Sequence, residues 1–165
     1  MPLPEGIRQQ LEKEIAASPH PRERVVNVLL SLQRHYGYLT EEAIQEGAEI
    51  CGRPPIELEE LATFYDFMYR EPVGRYVIHV CDGLVCWMER EFSVLDYLCR
   101  TLKIEPGGTT ADGEFTVLPA ACIGFCDHAP AMLINGEMYG PLDPAAIDRI
   151  LAELRGKPCE AVLCR

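Results

Sequence analysis

The spacing of apolar residues divides the chain into a helical part and a strand-rich part. Between residues 1 and 70, apolar residues recur every three or four positions, which predicts four short helices packed as a small bundle. Gly37 and Gly52 suit C-terminal caps of these helices, and Thr40 suits an N-terminal cap. The aromatic residues that end this part are interpreted as bundle core or, alternatively, as a docking face for a partner: Phe64, Tyr65, Phe67 and Tyr69.

After a linker at residues 72–74, the pattern changes to short strands separated by helices and turns. Arg75 to Val80 and Phe115 to Pro119 are rich in β-branched and aromatic residues, which predicts two strands. Asn135-Gly136 lies between two short apolar segments and predicts a hairpin with a type I′ turn. Helices are predicted over residues 91–104 and 144–156.

The resulting order of elements after the linker is β-α-β-β-β-α. A strand–helix–strand crossover favours parallel pairing, and the hairpin then adds antiparallel strands. This is the order of a thioredoxin-like domain. We therefore predict an α/β protein in three parts, namely an N-terminal helical bundle (residues 1–71), a thioredoxin-like domain (75–156) and a C-terminal tail (157–165).

Composition narrows the classes of partner. The chain has 165 residues, of which 48% are hydrophobic, so a core can form without disulfides. A formal net charge of −11 argues against binding to nucleic acid or to an anionic membrane. No segment approaches the roughly 20 apolar residues of a spanning helix, and the N-terminus lacks the features of a signal peptide. We expect a cytoplasmic protein without direct membrane insertion.

Four cysteines in two pairs are the candidate ligands. Cys81 and Cys86 enclose four residues, Cys122 and Cys126 enclose three, and each pair follows a predicted strand. Dithiol redox catalysis uses Cys-x-x-Cys, a spacing that occurs nowhere in the chain. Structural zinc and an iron–sulfur cluster both accept four thiolates, and the spacing does not distinguish them.

The residues around the cysteines favour an iron–sulfur cluster, with zinc as the alternative. Gly83 and Gly124 allow backbone N–H groups to approach bridging sulfides, which accept hydrogen bonds. Apolar residues in both segments are expected to shield the site from water: Leu84, Val85, Trp87, Ile123 and Phe125.

The remaining cysteines and one histidine are given other interpretations. Cys51 and Cys99 lie on apolar helix faces and are expected to be buried core thiols. Cys159 and Cys164 repeat the spacing of the first pair, and are either exposed thiols of the tail or a second metal site. His128 is interpreted as a residue beside the site or on the surface, with a Rieske-type ligand as the alternative.

An ordered set of motifs lies between residues 62 and 130, within a resemblance that covers about residues 10–155. In chain order these are Ala62-Thr-Phe-Tyr65, Pro72-Val-Gly-Arg75, the Cys-x₄-Cys pair, Gly113-Glu-Phe-Thr-Val-Leu-Pro119, and Cys122-Ile-Gly-Phe-Cys126-Asp-x-Ala-Pro130. With these motifs the chain resembles the small peripheral [2Fe–2S] subunit of NADH:quinone oxidoreductase (respiratory complex I), a thioredoxin-like ferredoxin. The same family serves the diaphorase parts of NAD-reducing hydrogenases and of some formate dehydrogenases.

The resemblance implies one [2Fe–2S] cluster, whose four ligand positions are matched by Cys81, Cys86, Cys122 and Cys126. It also implies a multi-subunit complex, peripheral on the cytoplasmic face of the membrane, with a flavoprotein partner that carries FMN and the NADH site. The cluster would exchange single electrons with that FMN.

The chain has no Gly-x-Gly-x-x-Gly after a strand, so we expect a subunit of an NADH dehydrogenase without a complete active site or catalytic residues of its own. The alternatives are a diaphorase subunit of a hydrogenase or formate dehydrogenase and, more remotely, a zinc-stabilised interaction module without a redox role.

Overall fold

The computed structural model describes residues 3–155, which divide into two compact units, one ending at Pro72 and the other beginning at Val73. The first unit is helical and the second contains a four-stranded sheet, which confirms the predicted α/β class with its N-terminal helices. None of the helices in the described range is long and apolar enough to cross a membrane. The predicted tail at residues 157–165 lies outside this range.

The first unit consists of helices whose ends match their sequence signals. Gly37 and Gly52 follow two of them with positive φ angles of 88° and 60°, which a residue without Cβ adopts at little cost. Thr40 caps the start of the helix that begins at Glu41, since its Oγ1 accepts a hydrogen bond of 3.1 Å from the N–H of Ala43. The elements are α1 (Glu5–Ala17), a 3₁₀ helix (Pro21–Arg24), α2 (Val25–Tyr36), α3 (Glu41–Cys51) and α4 (Pro55–Phe64).

The core of the first unit lies between α2, α3 and α4. Gly47 of α3 allows close packing, because a Cβ there would lie 2.8 Å from side-chain carbons of both Leu32 and Leu58. The buried Gln33 fixes the segment after α4, since its side chain accepts from the N–H of Tyr69 at 2.7 Å and donates to the carbonyl of Phe67 at 2.9 Å. A buried amide with both ends bonded orders this segment without an unpaired polar group.

The aromatic residues that follow α4 belong only partly to this core. Tyr69 is buried, and the rings of Tyr65 and Phe67 are partly buried and stack with centroids 5.0 Å apart. The ring of Phe64 is 74% exposed. The prediction of a core role is therefore wrong for Phe64, because the residue ends α4 with its side chain in solvent.

The sheet of the second unit has the predicted mixed pairing. Parallel pairing joins the first two strands, and antiparallel pairing joins the hairpin to the first strand. Asn135 and Gly136 form the turn with φ angles of 47° and 92°. The Asn135 side chain accepts from the N–H of Val77 at 2.8 Å and donates to the carbonyl of Arg75 at 2.9 Å. The strands are β1 (Tyr76–Cys81), β2 (Phe115–Ala120), β3 (Met132–Ile134) and β4 (Glu137–Tyr139), in the order β2-β1-β3-β4.

Three α-helices and one 3₁₀ helix complete the second unit: α5 (Leu84–Glu89), α6 (Val94–Leu102), the 3₁₀ helix (Cys126–His128) and α7 (Pro144–Arg155). The helix predicted over residues 91–104 is shorter, because the Ser93 side chain caps α6 and Lys103 ends it in a left-handed conformation. The N–H of Ala146 donates to Asp143 at 2.6 Å, so the start of α7 is as predicted. The short helix α5 was not predicted. The apolar faces of α6 and α7 share one core with the sheet.

The Thr40 cap generates a stability prediction. We expect Thr40→Ala to reduce the free energy of unfolding of the first unit by about 1 kcal/mol, because the N–H of Ala43 loses its acceptor. Thr63→Ala is the matched control, since the Thr63 hydroxyl lies on the exposed face of α4 and bonds only to carbonyls of its own helix. Amide hydrogen exchange across α2–α4 measures both effects. Equal effects from the two variants would contradict the assigned cap.

Candidate metal centre

The parallel pairing of β1 and β2 brings the two cysteine pairs to one edge of the sheet. Cys81 is the last residue of β1 and lies opposite Ala120, the last residue of β2. Because parallel strands end at the same edge, the segments after both strands leave the sheet as neighbours. Cys86 follows on α5, and Cys122 and Cys126 follow β2.

The first pair is buried. Cys81 is 7% exposed and Cys86 is 3% exposed, and both pack with Ala131 in a small apolar cluster with the partly buried Ile123 and Phe125. The backbone of Ala131 interacts with both cysteines of the first pair. Its carbonyl accepts from the N–H of Cys81 at 3.1 Å, and its backbone forms a hydrogen bond with the Cys86 thiol.

The second pair is exposed and its two sulfurs are close together. The Sγ atoms of Cys122 and Cys126 lie 3.6 Å apart. Two thiolates on one tetrahedral metal, each with a metal–sulfur bond of about 2.3 Å, are separated by about 3.8 Å. The observed distance is therefore suited to two ligands that share one metal ion.

Gly83 joins the two pairs by close contact. A Cβ at residue 83 would lie 2.9 Å from the Cβ and 3.2 Å from the Cα of Cys122, closer than side-chain carbons normally approach. The Cys81 side chain also contributes to lowering the pKa of Cys122. The absence of a side chain at Gly83 thus permits the backbone just before α5 to touch the segment that carries Cys122.

The surroundings of the thiols differ in their effect on ionisation. Burial, followed by the hydrogen bond with Cys81, raises the pKa of Cys86 to about 11. The backbone hydrogen bond from Gly124 lowers the pKa of Cys122, and Cys126 adds to this. Gly124 has a φ of 82°, the left-handed region that favours glycine. The hydrogen bond with Cys122 raises the pKa of Cys126. A metal binds thiolates, so its binding would release protons from thiols such as Cys86 and Cys126, whose pKa values are raised.

The structure thus brings all four predicted cysteines to one end of the second unit, as a buried pair beside an exposed pair. Within residues 3–155, no three His, Cys, Asp or Glu side chains are grouped as a site for a single metal ion requires. The contribution of Ala131 was missed in the sequence, where this residue belongs to the short apolar segment that precedes Asn135-Gly136.

The predicted shield around the site is only partly correct. Ile123 and Phe125 are partly buried beside the first pair, as expected. Leu84, Val85 and Trp87 are exposed, because α5 turns Cys86 inward and leaves these residues facing solvent. The expectation that they shield the site within this chain is therefore wrong.

The other candidate residues lie as follows. Cys99 is buried as predicted, whereas Cys51 is only partly buried because it is the last residue of α3. His128 is exposed, stacks on Phe125 with ring centroids 4.3 Å apart and has its Nδ1 3.0 Å from a carboxylate oxygen of Asp127. Cys159 and Cys164 lie outside the described residues.

Comparison with known proteins identifies the family. The model of the thioredoxin-like [2Fe–2S] ferredoxin family matches residues 11–155. This chain belongs to that family. The cofactor of the family is a [2Fe–2S] cluster, and the residues at this site suit it, since they supply four thiols, backbone hydrogen bonds to two of them and a close approach at Gly83.

Individual relatives are similar over most of the chain. One, from the NADH-quinone oxidoreductase of Pseudomonas aeruginosa, is 38% identical over 149 residues, which cover 90% of each chain. Its counterpart in the NADH-quinone oxidoreductase of Escherichia coli K12 is 38% identical over 144 residues, 87% of each chain. Among solved structures, an NAD⁺-reducing [NiFe]-hydrogenase in the H₂-reduced state is 33% identical with a TM-score of 0.67; the match covers 80% of this chain and 22% of the hydrogenase chain.

The contact at Gly83 generates a prediction for cluster content. We expect Gly83→Ala to lower the iron and acid-labile sulfide bound per chain well below the wild-type values, because its Cβ would overlap Cys122 and overpacking costs about 1–3 kcal/mol. Gly6→Ala is the matched control, since no atom lies within 4 Å of a Cβ at that position. Iron and sulfide analysis after anaerobic purification measures both variants. Wild-type content in Gly83→Ala would show that the contact is not needed.

Proposed function

We propose that this chain is the [2Fe–2S] electron-transfer subunit of an NADH:quinone oxidoreductase, and that its cluster exchanges single electrons with FMN on a partner flavoprotein. The support from sequence is the 38% identity, over nearly the full length, to proteins named as subunits of NADH-quinone oxidoreductase. The observation that carries the proposal is the contact between Gly83 and Cys122, which joins two cysteine pairs distant in the chain. As such a subunit, the chain would be peripheral on the cytoplasmic face of the membrane.

The residues proposed as cluster ligands have distinct tasks. When bound, a [2Fe–2S] cluster accepts and returns one electron. The buried first pair would keep water from one side of the site, and the exposed second pair would leave the other side open to a partner. Carboxylates next to ligands, at Asp82 and Asp127, would disfavour added negative charge and lower the reduction potential. The proposed ligands are Cys81, Cys86, Cys122 and Cys126.

Catalysis would be divided between subunits. The sequence has no Gly-x-Gly-x-x-Gly after a strand, so we assign NADH binding and hydride transfer to the flavoprotein partner and only electron transfer to this chain.

A diaphorase role in an NAD-reducing hydrogenase is the second candidate. The similarity to a chain of an NAD⁺-reducing [NiFe]-hydrogenase favours it. The subunits that co-purify with this chain distinguish the two complexes.

The ligand assignment is tested by replacing single cysteines. We expect Cys122→Ala to abolish the visible absorbance, the acid-labile sulfide and the EPR signal of the dithionite-reduced protein, because a cluster with one ligand missing is not retained. Cys99→Ala is the control, since this buried thiol packs in the core between α6 and the sheet.

Two results would contradict the assignment. Retention of the wild-type spectrum in Cys122→Ala would exclude this residue as a ligand. A colourless wild-type protein with one zinc ion and no acid-labile sulfide would instead support a zinc-stabilised interaction module.

Electron exchange with the flavoprotein is tested by reoxidation. Dithionite-reduced protein, freed of excess dithionite, should be reoxidised anaerobically by NAD⁺ only after addition of the FMN-loaded flavoprotein. The physical reason is that NAD⁺ takes two electrons as a hydride. The flavin can assemble this hydride from one electron of each of two reduced clusters and one proton from water. The measurement is the absorbance of the NADH formed by the time the spectrum of the oxidised cluster has recovered. Flavoprotein without FMN is the control. Reoxidation without flavoprotein, or none with it, would contradict the proposed function.

A further inference from the structure

Exposed apolar side chains are concentrated on α5, the short helix that carries Cys86. Within residues 3–155, eight large hydrophobic side chains are exposed. Four of them lie on α5, and the other four are divided among α1, α4 and β4. A single exposed apolar residue is ordinary, whereas a contiguous group of them marks an interaction surface. We call the group on α5 the α5 patch, and its members with their exposed fractions are Leu84 (71%), Val85 (39%), Trp87 (58%) and Met88 (66%).

The α5 patch is continuous with the open side of the cysteine site. Cys86 takes the buried position of the helix, so the apolar residues on either side of it are turned outward. At the start of the helix Gly83 touches Cys122, which is exposed like Cys126. A protein that covers the patch would therefore also lie against the exposed thiols.

The rim of the α5 patch is acidic. The guanidinium of Arg90 lies 3.4 Å from Asp82 and 5.9 Å from the centroid of the Trp87 ring, so this cation is engaged within its own chain. The exposed Glu89 and Glu91 flank it in sequence. Three exposed acidic residues and one arginine thus lie within or directly beside α5 in the chain, and the whole chain carries a net charge of −11.

We propose that the α5 patch is the surface on which the redox partner docks, and that this partner presents an apolar centre surrounded by Lys and Arg. The inference rests on the proposed function, because electron exchange requires a partner against the open side of the cysteine site. Charge distinguishes this occupant from a second copy of the chain. In a dimer of this chain, two acidic rims and two negative net charges would face and repel each other. A partner with a basic rim would instead be attracted and steered to the patch.

Binding to the FMN-loaded flavoprotein tests the docking surface. We expect Trp87→Ala in the cluster-loaded protein to weaken binding about 30-fold, since aromatic residues that become fully buried dominate interface energies. Met88→Glu should weaken it at least as much, because a carboxylate would be buried against an apolar surface. The matched control is Met138→Glu, which changes a methionine of β4 that is 51% exposed and should alter affinity by less than about threefold.

Isothermal titration measures the affinities, and iron and sulfide analysis checks that each variant keeps its cluster. Wild-type affinity in both Trp87→Ala and Met88→Glu, or an equal loss in Met138→Glu, would overturn the docking surface. Loss of the cluster from both patch variants would also overturn it, since these residues would then support the site instead of a partner.

Two outcomes separate this inference from the proposed function. A cluster-loaded wild type that fails to bind the flavoprotein would contradict the proposed function and remove the docking surface with it. Sedimentation of the loaded protein alone addresses self-association. A dimer that Met88→Glu dissociates would assign the α5 patch to a second copy and overturn the docking surface, while a monomer supports the flavoprotein as occupant.

Discussion

The parallel pairing of β1 and β2 is the constraint on which the cysteine site depends. It ends both strands at the same edge, with Cys81 opposite Ala120, and thereby makes neighbours of two segments that are far apart in sequence. The glycine at residue 83 then allows those segments to touch at Cys122. A side chain at this position would separate the two cysteine pairs even with the sheet intact. The hairpin also helps to position β1, because Asn135 forms hydrogen bonds with the backbone near the start of β1 and holds the strand in register.

The site that results is asymmetric, and the asymmetry is consistent with electron transfer between proteins. One pair of thiols is buried among apolar atoms, and desolvation opposes ionisation of its Cys86. The other pair is exposed, and a backbone hydrogen bond from Gly124 favours ionisation of its Cys122. A negatively charged centre held in this way has one side fixed by the fold and one side open. A zinc site with a purely structural role would gain nothing from the open side, whereas an electron-transfer centre requires a partner to come close there.

Local signals in the sequence predicted most of the fold. The caps at Thr40 and Gly52 and the turn at Asn135 depend on the conformation of a few adjacent residues, and each appears where it was predicted. The helix α5 was missed because it is only six residues long, has no side-chain cap and buries a single position, so it shows no apolar period. The cysteine pairs could be identified from their spacing, but the contact at Gly83 is a tertiary property that no local pattern encodes.

The same short helix explains why the shielding role predicted for its apolar residues is wrong in this chain. A helix of fewer than two turns that places Cys86 inward must place most of its other residues outward, so Leu84 and Trp87 cannot also cover the site. Exposure of these apolar side chains to water is unfavourable in free energy. The net charge of −11 favours solubility of the whole chain but does not reduce this local free-energy cost. A partner that covers α5 would remove that cost and exclude water from the open side of the site in one step. The shield inferred from the sequence would then be completed by the assembled complex, with α5 contributing one of its two surfaces.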